Sequence, residues 1–424
     1  MGIKESWTLC SEDVSWTVRD RPDYQDYKQA YENLQTTFNP VEFDPARWAR
    51  AASDAGMKYM VFTTKHHDGF CMYDSKLTDY KITGSKTPFH TDPGADVTRE
   101  LFDAFRAEGM WVGAYFSKPD WHSDDFWWPY FATPDRNANY DPEKHPERWE
   151  KFVRFTHGQM MELLGGNYGK VDILWLDGMW VQKMTPEEER LNRMDTYNFG
   201  TLARNQDIRM DEFVAGAREK QPGLIVVDRG VHGKNQNYLT PENVVPEKAL
   251  PYPWESCIIT AGRSWAWKPG AEYMSTREAI HMLVDVVTKG GNLLLNIAPG
   301  PRGQWQEGAY RLLEEIGGWM AVNAEAIYGT GALAPHKEGK VCISRKGEDT
   351  LYLYYLADEK EDLPAEIGMT SFSLPPGTKL ELLGSPGKTL SWRRNGNGFL
   401  ATVPGSIRKN PPCSHVWVIR AVIP

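Results

Sequence analysis

Through the first three quarters of the chain, short apolar runs alternate with segments whose apolar residues recur every three to four positions. Each run breaks directly into polar residues. The clearest lies within Lys58 to Phe70, KYMVFTTKHHDGF, where Tyr59, Met60, Val61 and Phe62 give way to Thr63, Thr64, Lys65, His66, His67, Asp68 and Gly69. This reads as a buried strand that delivers a polar cluster at its C-terminal end. Ahead of it, Pro45 suits the first turn of a helix carried by Ala46 to Ala55 and ended by Gly56. After it come a helix over Asp96 to Ala107, a strand over Trp111 to Phe116 ending in SKPDWH, and a helix over His145 to Leu164 stopped by Gly165-Gly166. A strand over Val171 to Leu176 ends in Asp177-Gly178, a helix covers Asp207 to Glu219, and a strand over Leu224 to Val227 ends in Asp228-Arg229. A strand over Cys257 to Thr260, a helix over Thr276 to Thr288 and a strand over Asn292 to Ile297 complete the series.

That rhythm of helix, glycine, apolar strand and polar rim predicts an α/β fold, a (β/α)8-like TIM barrel whose functional residues gather at the C-terminal ends of the strands. The first forty residues hold no comparable apolar strand, so the first strand of such a barrel is expected to be missing or truncated. After Ile327-Tyr328-Gly329 the pattern changes to short runs at Val341 to Ser344, Thr350 to Tyr355, Lys379 to Leu383, Phe399 to Val403 and His415 to Ile419, parted by Gly and Pro. They predict a C-terminal antiparallel β-sandwich, with a catalytic barrel over 1–330 and the sandwich over 331–424.

Composition narrows the function classes. The chain has 424 residues and a net charge of −9 with no long basic run, which argues against nucleic acid as the main partner. No apolar stretch has the length of a membrane span, and MGIKESWTLC lacks the pattern of a signal peptide. Five cysteines, widely spaced and without a CxxC, argue against a disulfide framework. Seventeen tryptophans include many at expected loops, among them Trp121, Trp127, Trp128, Trp175, Trp180, Trp254, Trp265 and Trp267. Aromatic rings at loops suit the apolar face of a sugar, and core filling is the competing use for any single one.

Adjacent histidines on an extended chain point to opposite sides, so His66 and His67 share a pocket only if the backbone turns, as Gly69 allows. A zinc site is not expected, because no third ligand stands at a suitable spacing and HExxH is absent. Asp177 follows an apolar strand with Trp175 two positions back on the same face, where it serves either as a rim carboxylate or as the cap of the next turn.

The string TTKHHDGF, followed by Ser75, closely resembles the second-strand signature of the family 29 glycoside hydrolases, the α-L-fucosidases. With LWLDG, SW and GGNLLLNIAPGP, the resemblance runs from Gly2 to Gly329. It implies a retaining exo-α-L-fucosidase that needs no cofactor or metal and takes a fucosylated oligosaccharide or glycoconjugate as its partner. In this chemistry one carboxyl attacks the anomeric carbon and a second protonates the leaving oxygen. The family's nucleophile maps onto Asp177. Its proton donor maps onto Glu242 in the Thr-Pro-Glu string, with Glu255 of Trp254-Glu255 as the alternative. His66, His67, Tyr115, Trp175 and Arg229 are expected to hold the sugar, and Trp121 and His122 to frame the leaving-group side. Family members generally begin the barrel with a strand ending in a string like FGIFIHWG, of which Met1-Gly2-Ile3 resembles only the tail. A related α-L-galactosidase and a catalytically impaired fucose-binding protein are the alternatives.

Overall fold

The computed structural model describes residues 5–10, 23–131, 135–194, 204–227, 229–231 and 233–424. In chain order its elements are α1 (Tyr24–Glu32), α2 (Pro45–Asp54), β1 (Tyr59–Lys65), α3 (Val97–Ala107), β2 (Trp111–Ser117), α4 (Pro146–Leu164), β3 (Ile173–Asp177), α5 (Pro186–Met194), α6 (Met210–Lys220), β4 (Ile225–Val226), β5 (Glu255–Ile259), α7 (Thr276–Thr288), β6 (Asn292–Asn296) and α8 (Glu307–Asn323). Strands β7 (Gly331–Glu338), β8 (Val341–Lys346), β9 (Thr350–Leu356), β10 (Glu366–Met369), β11 (Lys379–Leu382), β12 (Thr389–Asn395) and β13 (Gly398–Thr402) follow, then the short α9 (Gly405–Arg408) and β14 (Val416–Val422).

Local chemistry explains the helix starts. Asp44 and Asp96 accept from the backbone N–H of Arg47 and Arg99 at the heads of α2 and α3, and Ser275 and Glu278 form a reciprocal capping box on α7. The last long helix, α8, is absent from the sequence-based expectation. Its Gly317 serves close packing, since a Cβ there would lie 2.6 Å from the Asp54 carbonyl oxygen at the end of α2.

Strands β1-β2-β3-β4 form one parallel sheet and β5-β6 a second. The register sets Thr63 beside Tyr115 and Tyr115 beside Trp175, and further along it sets Ser117 beside Asp177. Between β4 and β5, among the described residues, run isolated bridges, Val227 with Tyr238, Leu239 with Trp254 and Glu242 with Cys257. The two sheets face a shared interior, because Glu255 of β5 accepts from the Tyr59 hydroxyl of β1 at 2.5 Å and from the Trp175 indole of β3 at 2.8 Å. Among the described strands, none pairs with the outer edge of β1 or of β6. A cavity of 2060 Å³ lined by Tyr59, Val61, Leu293 and Leu295 lies between those edges. Where an eight-stranded barrel is expected, the described residues form an α/β unit with six parallel strands in two sheets.

The C-terminal expectation is corrected in one respect. The eight strands β7 to β14 belong to one antiparallel sheet, ordered β10-β13-β12-β11-β14-β9-β8-β7, and not to two sheets of a sandwich. Alternation splits its side chains between two cores. Ile343, Leu353, Phe399 and Ile419 cluster on one face, while Cys342, Tyr354, Val416 and Val418 pack on the other against Ile280, Val284, Ile316 and Trp319 of α7 and α8. Strands buried on both faces read as sandwich strands, which explains the difference. All five cysteines are free thiols, and no helix among the described residues is long and apolar enough to cross a membrane.

Candidate active site

Beyond Lys65 the chain leaves the extended conformation and turns, Gly69 N–H donating to the His66 carbonyl at 3.1 Å. Gly69 has φ +82°, and a Cβ there would collide with the Asp120 carboxylate, so the turn requires glycine. The turn brings both imidazoles to the same cavity, their centroids 4.1 Å apart. His66 Nδ1 is hydrogen-bonded to Ser6 Oγ, and the His66 ring stacks parallel to Tyr115 at 5.7 Å. His67 is ringed by Trp7, Trp121 and Trp180 at 5.0 to 5.4 Å, and its Nε2 stands 3.6 Å from Asp177 Oδ2.

Asp177 ends β3 at the rim, its side chain 20% exposed. The Tyr115 hydroxyl donates to its Oδ2, the Gly178 N–H donates to its Oδ1 at 2.7 Å, and Arg229 Nη1 lies 3.6 Å from Oδ1. Burial pushes this carboxyl upward, but His67, Arg229, His66 and the Tyr115 hydroxyl outweigh it and hold the group well below the usual carboxylate range. Burial lowers both imidazoles, most strongly His67, and favours their neutral forms. The permanent positive charge beside Asp177 is accordingly Arg229.

Arg229 is itself fixed. Its Nε donates to Thr240 Oγ1 at 2.9 Å, its guanidinium carbon lies 5.0 Å from the centre of the Trp175 ring, and its carbonyl accepts from the buried Lys118 ammonium at 2.5 Å. Its Nη2 reaches Glu242 Oε2 at 3.0 Å, so one planar guanidinium serves both Asp177 and Glu242. Glu242 is 44% exposed and its Oε1 accepts from the Trp265 indole at 3.2 Å. Asp228, which precedes Arg229, lies outside the described residues.

Of the residues expected from sequence, the structure brings together His66, His67, Tyr115, Trp175, Asp177, Arg229 and Glu242 around the cavity. Glu255 does not line it. Only 3% exposed, Glu255 gives both oxygens to Tyr59 and Trp175, and burial raises its carboxyl. Trp121 and His122 do not line it either, which corrects their expected contact with a leaving group. Asp120 accepts from the N–H groups of His122 and Ser123, and this turn sends Trp121 inward, fully buried and stacked on Trp127 at 5.1 Å. The Trp121 N–H donates to the His67 carbonyl at 2.7 Å, so it supports the histidine from behind. His122 is occupied by Glu32 at 2.8 Å and stacks on Tyr80.

Several lining residues carried no motif in the reading of the chain: Glu5, Ser6, Trp7 and Arg136. The first three come from the irregular N-terminal segment. Burial, reinforced by Asp68 and opposed by Lys268, raises the Glu5 carboxyl to about 7. His66, His67 and Asp177 also offer three ligand atoms within 4.8 Å of one another. Ser6, Tyr115 and Gly178 already engage atoms of this set.

The family model described as alpha-L-fucosidase matches residues 3–325. The chain belongs to the α-L-fucosidase family. It is a glycoside hydrolase, similar to the plasma alpha-L-fucosidase of Homo sapiens, with 26% identity over 95% of this chain and 82% of that protein. Among solved structures it is similar to alpha-L-fucosidase isoenzyme 1 from Paenibacillus thiaminolyticus, with 30% identity, a TM-score of 0.75 and coverage of 99% and 92% of the two chains. The Thermotoga maritima alpha-fucosidase solved in complex with fucose gives 25% identity, a TM-score of 0.71 and coverage of 96% and 86%.

Proposed function

We propose that this fucosidase-family chain is a retaining exo-α-L-fucosidase that removes terminal α-L-fucosyl residues from glycans by double displacement. In this reading Asp177 attacks the anomeric carbon while Glu242 gives its proton to the departing glycosidic oxygen. The covalent fucosyl-enzyme is then hydrolysed by a water that Glu242, now ionised, activates as a general base. The new hydroxyl lands on the original face of the sugar, and both carboxyls return to their starting states. His66, His67, Tyr115, Trp175 and Arg229 hold the ring, and the catalytic unit is assigned to 1–330 with the antiparallel sheet over 331–424 beside it.

The observation that carries the reading is the single guanidinium of Arg229, which contacts two carboxylates in different states of engagement. Asp177 is enclosed, held ionised and aimed at the cavity, as a nucleophile needs. Glu242 stands at the mouth, where it can reach the leaving oxygen. The deeper Glu255 is tied to two donors and serves to hold Trp175 in place. Trapping with 2-fluoro-α-L-fucosyl fluoride followed by peptide mapping tests this. A fucosyl adduct on the Asp177 peptide is expected, and an adduct elsewhere refutes the assignment.

One observation favours a second reading, fucose binding without turnover. Among the described strands neither β1 nor β6 has a partner on its outer edge, and the cavity between those edges is continuous with the sugar site. That reading predicts saturable L-fucose binding, no adduct, and no change on Asp177→Ala in an aryl-fucoside assay.

A further inference from the structure

The string SKPDWH puts a lysine inside the protein directly behind the site. Lys118 follows β2, is fully buried, and does not line the sugar cavity. An ammonium is costly to bury where an apolar chain would pack as well, so its place is explained by what its nitrogens hold. The main-chain N–H of Lys118 donates to the Asp177 carbonyl at 3.1 Å, which carries the β2–β3 ladder one step past the Ser117–Asp177 pair. Its ammonium donates to the Arg229 carbonyl at 2.5 Å. One residue therefore grips the main chain of both Asp177 and Arg229.

The second grip stands where the described ladder has ended. Strands β3 and β4 pair through Ile173 with Ile225 and Leu174 with Val226, and the Val227 N–H reaches the Leu174 carbonyl only at 3.4 Å. Asp177 and Arg229 each lie three residues beyond the Leu174–Val226 pair. Close approach is built in on both sides. Gly178 and Gly230, which directly follow Asp177 and Arg229, have φ of +78° and +76°, and a Cβ on the first would overlap Pro119 and on the second the Lys118 ammonium. Both turns need glycine to admit the Lys118-Pro119 pair.

We propose that Lys118 is a positioning residue for the reaction, one that holds the Arg229 main chain level with Asp177 so that a single guanidinium meets both carboxyls. This rests on the fucosidase reading with Asp177 as nucleophile and Glu242 as proton donor. Lys118→Met and Lys118→Gln are made in the parent and in the Arg229→Met background, and kcat/KM on an aryl α-L-fucoside is followed across pH, with a thermal melt for each variant. A displacement of about 1 Å at a reacting centre costs on the order of 10²-fold, so Lys118→Met is expected to lose about 30- to 100-fold in the parent. Asp177 is faced by His66 and His67 from the loop after β1, by Tyr115 of β2 and by Arg229, of which Arg229 carries the permanent charge, so displacing it should also move the acid limb upward. In the Arg229→Met background the same substitution should cost less than about threefold, because the group that Lys118 orients is already gone. The Gln variant keeps a donor for the carbonyl, so it is expected to lose less than Met, and it carries the comparison if the Met variant does not fold.

A folded Lys118→Met within about threefold of the parent and with an unmoved acid limb, equal losses in both backgrounds, or failure of both variants to fold would overturn the assignment and leave Lys118 as a packing residue. If the unsubstituted chain turns over no fucoside, it is the fucosidase reading that fails, and the Arg229 side chain then decides the positioning role without substrate. In protein carrying isotope-labelled arginine, the Nε–H resonance that Arg229→Met removes reports the hydrogen bond to Thr240. A shifted resonance with faster solvent exchange in the Lys118 variants upholds the role, and an unmoved one ends it.

Discussion

Replacing Arg229 by methionine removes the one permanent charge that Asp177 and Glu242 share while keeping an apolar stem beneath the Trp175 ring, which the guanidinium carbon now approaches to 5.0 Å. At the 3.6 Å between Nη1 and Asp177 Oδ1, unit charges in an effective dielectric near 20 interact by about 4 to 5 kcal/mol. The side chains are 7% and 20% exposed, so solvent screens the pair only in part. A loss of about 3 to 4 kcal/mol corresponds to a fall in kcat/KM of about 10²- to 10³-fold at neutral pH. The assay is kcat/KM on an aryl α-L-fucoside as a function of pH, with a thermal melt to establish that the variant is folded. Asp177 is held low by its neighbours, so deleting the cation moves the acid limb of the profile upward. Arg229→Lys should recover part of the rate, because an ammonium restores charge but cannot span both carboxylates. A folded Met variant within about tenfold of the parent, with an unmoved acid limb, would refute the electrostatic role of Arg229.

The two glutamates separate by opposite signatures. Glu242→Gln should retain the parent's unfolding midpoint and lose disaccharide turnover, whereas Glu255→Ala should cost about 1 to 3 kcal/mol in denaturant unfolding for each buried donor left unpaired. The assignment would be reversed if Glu242→Gln proved destabilised and Glu255→Ala undisturbed. Glu5 is raised from 4.5 to about 7, so between those values the folded state holds a proton that the unfolded state has released. Stability should therefore fall as pH rises through that window, and Glu5→Gln should flatten the dependence of unfolding free energy on pH. Exhaustive treatment with EDTA should leave turnover unchanged, since His66 Nδ1 is engaged by Ser6 and the two Asp177 oxygens by Tyr115 and Gly178; a loss restored by a divalent ion would show that the trio holds a metal.

Much of the rim was legible because Asp177, His66, His67 and Arg229 follow apolar strands, where the apolar run stops and chemistry-bearing side chains begin. Asp177 after ILWL and the His pair after YMVF need no tertiary information beyond a parallel register. Trp121 and His122 misled for a related reason. They too follow a strand, but a local Asp120 turn inverts the direction of the side chains, and hydrogen bonds from N–H groups two and three residues on leave little trace in apolar patterning. Glu5, Ser6 and Trp7 were invisible because their segment has no periodicity, and what fixes it is contact with residues sixty positions away, Ser6 on His66 and Trp7 against His67. Glu255 has the motif of a catalytic residue and the surroundings of a buried structural one. Only the geometry of Tyr59 and Trp175 separates those roles.

The gap between β1 and β6 and the sugar site are parts of one cavity, and this changes how the site is held. Tyr59, Met60, Val61 and Phe62 are half-buried although their strand is central in sequence pattern, as are Leu293, Leu294 and Leu295 of β6. A parallel strand with a covered edge fixes its terminal loop through the ladder on both sides. Here, among the described strands, β1 is paired on one side only, so the direction in which it delivers His66 and His67 depends on what grips the loop beyond it. Among the described residues the contacts that do so include the buried Lys65–Asp120 pair at 2.9 Å at the strand's end, the backbone N–H of Trp121 on the His67 carbonyl at 2.7 Å, the Tyr31 hydroxyl on Asp68 at 2.8 Å, and Ser6 on His66. The last two reach the loop from the residues ahead of α2. Ser6 and Tyr31 of α1 thus help to hold the loop beyond an edge that no described strand covers, together with Asp120 and Trp121, and the precision of the histidine pair rests on these groups as much as on β1 itself.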